Sequence, residues 1–501
     1  MYLSFMNRLL KNKELSLKLI ISVFLLLLIV LLGYAFMHGT YHIAEEDESI
    51  YYNSAKQFSE TGSVRATECN NEAVARVWQC NWYGPMYYLF FGSIAKIAGV
   101  HSYNFLISNV LCLLLMFVLI FRANFPVETK LLITCAFLAL YAFAGYIFTY
   151  YPETLELLFA VILTLRLKKV ADENGNKNKE ILIYLLLVMF FALFRVSTVF
   201  WAFGILAFSS SIKDFLKKLG IGILCFLIIY VYIMFFNAPF YGGGMAHIMQ
   251  AKFGIETIAY LVKKIAWNTF VFFTRNPFYD LLQIPILIVA GYLCFTSKNR
   301  FLIAACIISS IYFVVLLTLY IPYSFFMNKQ TACLYPLVLI ALFYTDKSML
   351  KYFALAVILV FSPIAYLKAG GLVRERKKMA IENNEDKAMM AQLEQIKYKT
   401  EGGKPITILT LYREFDSKMP YPIFSSNLPA STADKYPIMY SYNFPIDGKH
   451  DSTFRNEWNF KTLGKIHIDY ILSAKPLKID STTMIYSCDL YYLYKNNKKT
   501  K

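Results

Sequence analysis

The chain has 501 residues, 57% of them hydrophobic and only 17% charged, with a mean hydropathy of +0.47; soluble domains carry charge on about a quarter of their residues. This composition excludes an ordinary soluble globular protein and implies a chain that crosses a membrane many times. The net charge of +17 does not point to nucleic acid, because the basic residues lie mainly between apolar runs, where they set topology and attract anionic lipid.

The first apolar run, Leu19 to Met37, follows a basic front of Arg8, Lys11, Lys13 and Lys18. It is longer than a signal-peptide core and lacks a small-x-small exit, so it reads as a retained span. Runs of the length a bilayer needs recur at Phe105 to Phe121, Leu131 to Tyr150, Thr154 to Leu167, Leu219 to Phe236, Leu281 to Phe295, Phe301 to Tyr320, Thr331 to Tyr344 and Tyr352 to Leu367. The run Ile181 to Ile212 is too long for one helix. Lysines flank it on both sides (Lys177 and Lys179, then Lys213, Lys217 and Lys218), which predicts a hairpin of two short spans with Arg195 near its outer tip.

Pro85 to Ala98 is apolar but short, and it carries Lys96. Reading it as a juxtamembrane helix, with Lys96 snorkelling, puts five basic groups on one inner face. They are Arg122 with Lys130, the cluster Arg166 to Lys179, Lys213 to Lys218, Lys298 with Arg300, and Lys347 with Lys351. The expected architecture is an all-α polytopic membrane protein of about eleven transmembrane helices plus that juxtamembrane helix. It occupies residues 1–368, with the first external loop at 38–104, and a small soluble α/β domain follows at 369–501. The tail is placed outside, although Lys368, Arg374, Arg376, Lys377 and Lys378 follow the last span. A helix is expected from Leu372 to Lys399, then strands near Ile406 to Leu411, Ile466 to Leu472 and Met484 to Tyr494. The stretch from Asn237 to Asp280, with Gly242, Gly243 and Gly244, reads as an external loop.

The loop after the first span opens on Glu45, Glu46, Asp47 and Glu48, carboxylates set directly against a membrane face. They are either a solvated collar or the seat of chemistry. Cys112, Cys135, Cys225, Cys294, Cys306 and Cys333 sit in apolar runs and read as small hydrophobes, whereas Cys69 and Cys80 share the external loop and are disulfide candidates.

The ordered set Asp47-Glu48-x-x-Tyr51, Ala55, Glu60-Thr61-Gly62, Tyr83-Gly84-Pro85-Met86-Tyr87-Tyr88 and Ala98-Gly99 resembles the first external loop of the GT-C glycosyltransferases, and within them the protein O-mannosyltransferase and aminoarabinose transferase branch. Gly84 departs from the pattern, since relatives commonly carry a second Pro, or a Lys or His close by. The resemblance implies a GT-C-like fold and transfer of a sugar from a polyprenyl-phosphate donor to a lipid, glycan or protein acceptor, with inversion, at the outer face of the inner membrane. Asp47 is then the expected general base, with Glu48 beside it. Arg195 and Lys329, at outer ends of spans, are the candidate cations for the phosphate leaving group, with Tyr83 a further donor-binding candidate. Glu153 falls where relatives place an acid that orients substrate or metal, yet Pro152-Glu153 is also an ordinary helix start.

No cofactor is required by this reading. If a divalent cation such as Mg or Mn takes part, Asp47 and Glu153 are its candidate ligands. Trp78 and Trp82 are candidates for stacking on a sugar ring. The alternatives are a polysaccharide polymerase or ligase, a multi-span transporter, and a non-catalytic sensor or scaffold. The early position of the acids argues against the first, and the lack of two-half symmetry against the second.

Overall fold

In a computed structural model the described residues are 13–37, 48, 51, 55, 58–59, 62, 85–99, 103–173, 177–236, 255–275, 291–292, 296, 299–319, 331–345, 348–395, 408–411, 439–442, 470–473, 476, 482–487 and 492–497. They divide between two units, Met1–Met37 with Trp82–Gly84 and Phe105–Val373, and His38–Asn81 with Pro85–Asn104 and Arg374–Lys501.

The first unit is helical. Its elements are α1 (Lys13–Met37), α3 (Tyr103–Arg122), α4 (Val127–Ala139), α5 (Tyr141–Ala144), α6 (Glu153–Asp172), α7 (Lys177–Ala192), the 3-10 helix Val196–Phe208, α8 (Ile212–Phe236), α9 (Ile255–Arg275), α10 (Arg300–Leu319), α11 (Leu334–Tyr344) and the first part of α12 (Ser348–Gln395). Among the described residues four helical stretches are long and apolar enough to cross a bilayer: Lys13–Met37, Tyr103–Arg122, Ile212–Tyr232 and Met349–Arg374. The run Leu281 to Phe295, one of the expected spans, lies almost wholly outside the described residues.

The expected span Leu131 to Tyr150 is not one straight helix. It breaks at Leu140, and α4 is bent by 69° from the stretch Tyr141–Phe148. A broken helix inside a membrane is stable only where the freed carbonyls find donors. Tyr366 of α12 supplies one just before the break, donating to the carbonyl of Leu138 at 3.0 Å, and the buried Asn109 of α3 serves the end of the turn beyond it, its amide nitrogen donating to the carbonyls of Tyr146, Ile147 and Thr149 at 3.3, 3.2 and 2.9 Å.

The hairpin centred on Arg195 is present, and the form of its second arm reduces a length mismatch. Thirteen residues as an α-helix would rise roughly 20 Å, too little for a hydrocarbon core of about 30 Å. Val196–Phe208, 13 residues, is a 3-10 helix, and at about 2.0 Å per residue it reaches roughly 26 Å. Tyr184 of α7 ties the two arms together by donating to the carbonyl of Trp201 at 2.7 Å.

One end of this unit gathers the basic groups. Lys130 donates to the Phe121 carbonyl at 2.8 Å, and Lys168 lies over the rings of Phe125 and Tyr344. Glu180 of α7 meets Arg166 and Lys169 of α6 at 2.9 and 3.2 Å. Lys177 lies over Phe208, whose carbonyl accepts from Lys218 and Arg300, and Lys13 lies over Tyr352. Described members of all five predicted basic groups thus share one end, as alternating spans require. The helix α12 starts there and runs away from it. Its Tyr366 donates to the carbonyl of Leu138 at 3.0 Å, and Lys368 lies over Tyr141.

A further correction concerns the stretch Asn237 to Asp280, which contains α9 rather than loop alone. Val262, Trp267 and Phe270 of α9 are exposed while Asn268 is buried. That is the reverse of a helix in water, and it suits an apolar face turned to lipid.

The second unit contains the first-loop residues. Glu48, Tyr51, Ala55 and Phe58, all helical and spaced three or four apart, place one face against α2 (Met86–Ala98). The Tyr51 and Tyr87 rings meet edge-on at 5.8 Å. Gly92 permits the approach, since a Cβ there would stand 2.6 Å from Phe58 Cδ1 and 2.9 Å from the Ala55 carbonyl oxygen. Gly62 closes the segment at φ 70°, its N–H bonded to the Phe58 carbonyl at 2.8 Å, a left-handed helix stop that favours glycine.

In the tail a five-stranded mixed sheet has the order β2-β1-β3-β5-β4, from β1 (Ile408–Leu411), β2 (Met439–Tyr442), β3 (Tyr470–Ser473), β4 (Thr482–Ser487) and β5 (Tyr492–Asn496). The first pairings are parallel and the last two antiparallel. The single strand expected at Met484 to Tyr494 is a hairpin, and β2 was not anticipated. The expected tail helix is the continuation of α12, which runs unbroken to Gln395.

Candidate active site

Opposite the basic end, the start of α6 meets the Arg195 turn. Pro152 precedes the first helical residue, a position where its missing N–H costs nothing, and the helix proceeds from Glu153. Glu153 and Glu156 are one turn apart and share a face. Arg195, in extended backbone between α7 and the 3-10 helix, directs its guanidinium at both: NH1 donates to the Glu156 carboxylate and lies 3.5 Å from Glu153 Oε1. The side chains of Arg195, Glu153 and Glu156 are only 5, 0 and 4% exposed.

Burying an ion pair costs several kcal/mol of desolvation per charge, so such a cluster is rarely retained for stability alone. Polar neighbours continue it. Tyr312 of α10 donates to Ser197 Oγ at 2.6 Å, and Cys333, just before α11, donates to the Tyr312 hydroxyl at 3.1 Å. Four segments distant in sequence therefore converge on this end of the bundle. Stacking of Phe159 on Phe191, with centroids 4.0 Å apart, holds α6 against α7 one turn below.

Of the residues expected from the sequence, Glu153 and Arg195 are brought together here. Glu48 is fully buried, on the loop face that packs against α2. Asp47, Tyr83, Lys329, Cys69 and Cys80, with Trp78 and Trp82, lie outside the described residues. Among the described residues no group of three or more His, Cys, Asp and Glu side chains is placed to hold a metal ion. The described cysteines Cys112, Cys135, Cys225, Cys306 and Cys333 are free thiols.

Two residues escaped the sequence reading. Glu156 takes the strongest contact with Arg195; its signal was an acid one helical turn after another in an apolar run. Asn109 shapes the turn that leads to Glu153; its signal was a lone amide inside a spanning helix, where a polar group must find a partner.

No protein-family model matches the chain, and no curated protein matches it in sequence. Among solved structures the chain is similar to ArnT from Cupriavidus metallidurans in its crystal structure bound to undecaprenyl phosphate, with a TM-score of 0.52 and 11% identity, covering 94% of this chain and 97% of that one. The same protein in the apo state aligns over equal shares at 12% identity and a TM-score of 0.49. The likeness to the lipid-bound structure, over nearly the whole of both chains, shows an ArnT-like fold, and among the described residues four helical stretches are long and apolar enough to cross a membrane.

Proposed function

We propose that the protein is a GT-C-type glycosyltransferase that moves a sugar from a polyprenyl-phosphate carrier to an acceptor hydroxyl at the outer face of the cell membrane. The observation that carries this reading is the buried Arg195–Glu156–Glu153 cluster, at the end of the bundle where α1 leaves and α3 re-enters. The acidic first loop joins those two helices. The undecaprenyl phosphate of the similar ArnT structure supports a donor of that class.

In the proposed reaction Asp47 accepts the proton of the acceptor hydroxyl as its oxygen attacks the anomeric carbon from the face opposite the phosphate. The carbon–oxygen bond to phosphate breaks, its electron pair leaves with the phosphate, and the anomeric centre inverts. Charge builds on the leaving oxygen, and Arg195, with Lys329, would stabilise it in a site with little water. Glu156 acts on Arg195, holding the guanidinium in one orientation. Should a divalent cation take part, Asp47 and Glu153 are the ligands we assign, although Glu153 already faces a fixed cation. Residues 1–368 would form the catalytic membrane domain and residues 369–501 a soluble domain on the outer side.

The test is release of free polyprenyl phosphate by the purified full chain in lipid, over a panel of polyprenyl-phosphate sugars, with and without EDTA. Asp47→Asn is expected to lower release by about 10²–10⁴-fold and Arg195→Gln by about 10²-fold, with insertion intact. Full activity in Asp47→Asn removes the base assignment. Absence of release from every donor by folded protein removes the transferase reading. A loss in EDTA restored by Mg or Mn shows that a divalent cation takes part in transfer.

A further inference from the structure

At the basic end, far from the cluster just described, three elements bring cations to one residue, two to its carbonyl and one to its ring. The 3-10 helix ends at the buried Phe208, whose carbonyl accepts from Lys218 Nζ of α8 at 2.8 Å and from Arg300 NH1 of α10 at 3.5 Å. Lys177, the first residue of α7, sits over the Phe208 ring at 5.5 Å and within electrostatic reach of both cations. The acids facing this group are Asp214, bonded to Lys218 at 2.7 Å and to the Ser210 N–H at 2.9 Å, and Glu173. Neither Lys177 nor Arg300 has a carboxylate ion-pair partner among the described residues. With three cations facing two acids the group keeps a net positive charge, which an additional anion would offset.

The surroundings indicate which anion. Along the first turns of α8 the exposed cations Lys213 and Lys217 alternate with exposed apolar side chains, Ile212 at 71% and Leu216 at 58%. Exposed Ile223, Leu224, Leu227 and Ile228 continue the apolar surface up the helix, and Leu182 and Leu186 do so on α7. A free phosphate would use the cations and leave these surfaces unmatched. A phospholipid would use both, with its phosphate at Lys177 and Arg300 and its acyl chains along the helices.

We propose that Lys177, Lys218 and Arg300 form a binding site for the headgroup phosphate of an anionic phospholipid, a site separate from the transferase reading and independent of it. Lys218 is held by Asp214 and the Phe208 carbonyl and shapes the site, while Lys177 and Arg300 supply its excess positive charge.

The test titrates delipidated full-length protein with phosphatidylglycerol or phosphatidylcholine and counts bound lipid by native mass spectrometry. Phosphatidylglycerol is expected to bind more tightly, with a loss of about fivefold for each cation removed and about 30-fold for Lys177→Gln with Arg300→Gln together. Lys177→Arg is expected to retain binding. Arg300 is exposed, so Arg300→Gln alone gives a fivefold readout should the double variant fold poorly. Equal binding of the two lipids, or an unchanged phosphatidylglycerol affinity in Arg300→Gln, overturns the site. Competition by millimolar inorganic phosphate as effective as the lipid itself overturns the lipid as ligand. None of these outcomes depends on transferase activity.

Discussion

Removing the carboxylate of Glu156 tests whether the buried cluster is organised as described. Arg195 is almost wholly buried, and its closest carboxylate is Glu156, with Glu153 farther off at 3.5 Å. Breaking a buried pair by deleting one partner costs about 3–5 kcal/mol, because the remaining charge stays desolvated. Glu156→Leu should fall in that range. Glu153→Gln, which leaves the shorter contact intact, should cost only about 1 kcal/mol. At roughly 2 °C per kcal/mol for a chain of this size, Glu156→Leu lowers the unfolding midpoint by about 6–10 °C. A thiol-reactive dye reads this directly, since Cys112, Cys135, Cys225 and Cys333 are buried and free and react only on unfolding. Combining Glu156→Leu and Glu153→Gln with Arg195→Met removes all three charges and should recover about 2 kcal/mol or more relative to the sum of the single changes. A Glu156→Leu midpoint within 1 °C of native (about 0.5 kcal/mol), or a larger loss from Glu153→Gln, would refute the pairing.

Asn109→Leu deprives the carbonyls of Tyr146, Ile147 and Thr149 of their shared donor. The expected cost is about 3 kcal/mol, with a fall in polyprenyl-phosphate release as the Glu153 turn loosens. Asn109→Asp, of the same shape, offers at most one donor, and only when protonated, so it should recover only part of this loss; a fully native-like Asn109→Leu variant would show that these amide bonds do not stabilise the turn. Gly92→Ala forces a Cβ against Phe58 and the Ala55 carbonyl and should cost about 1–3 kcal/mol by thermal unfolding. Adding Phe58→Leu should recover part of this, because one of the two obstacles is a side chain; no recovery would place the obstruction in the backbone alone.

Much of the arrangement follows from hydropathy and charge taken one window at a time. The apolar runs, the Arg195 hairpin, the helix starting at Pro85 and the gathering of lysines at one end were all legible, because insertion into a bilayer depends on local averages of transfer free energy and on flanking charge. The same averages misjudged Leu131 to Tyr150. Nothing local marks Leu140 as a break, since the donors that serve the broken stretch, Tyr366 on the Leu138 carbonyl and Asn109 on those of Tyr146 to Thr149, come from helices distant in sequence. They also passed over α9, whose polar and apolar residues mix in sequence and separate only once wound on a helix.

The candidate site divides in the same manner. The chain by itself marks Glu153 and Arg195 as charges at the ends of apolar runs, where an ionised group is costly and calls for a partner. Only the tertiary structure decides that the partner is Glu156. It also decides that Val196–Phe208 stretches into a 3-10 helix to cover the distance, and that Tyr312 and Cys333 complete the polar end. The physical reason is that burial cost is a property of one residue and its neighbours in sequence, whereas its compensation depends on distances between segments that the packing of helices alone sets.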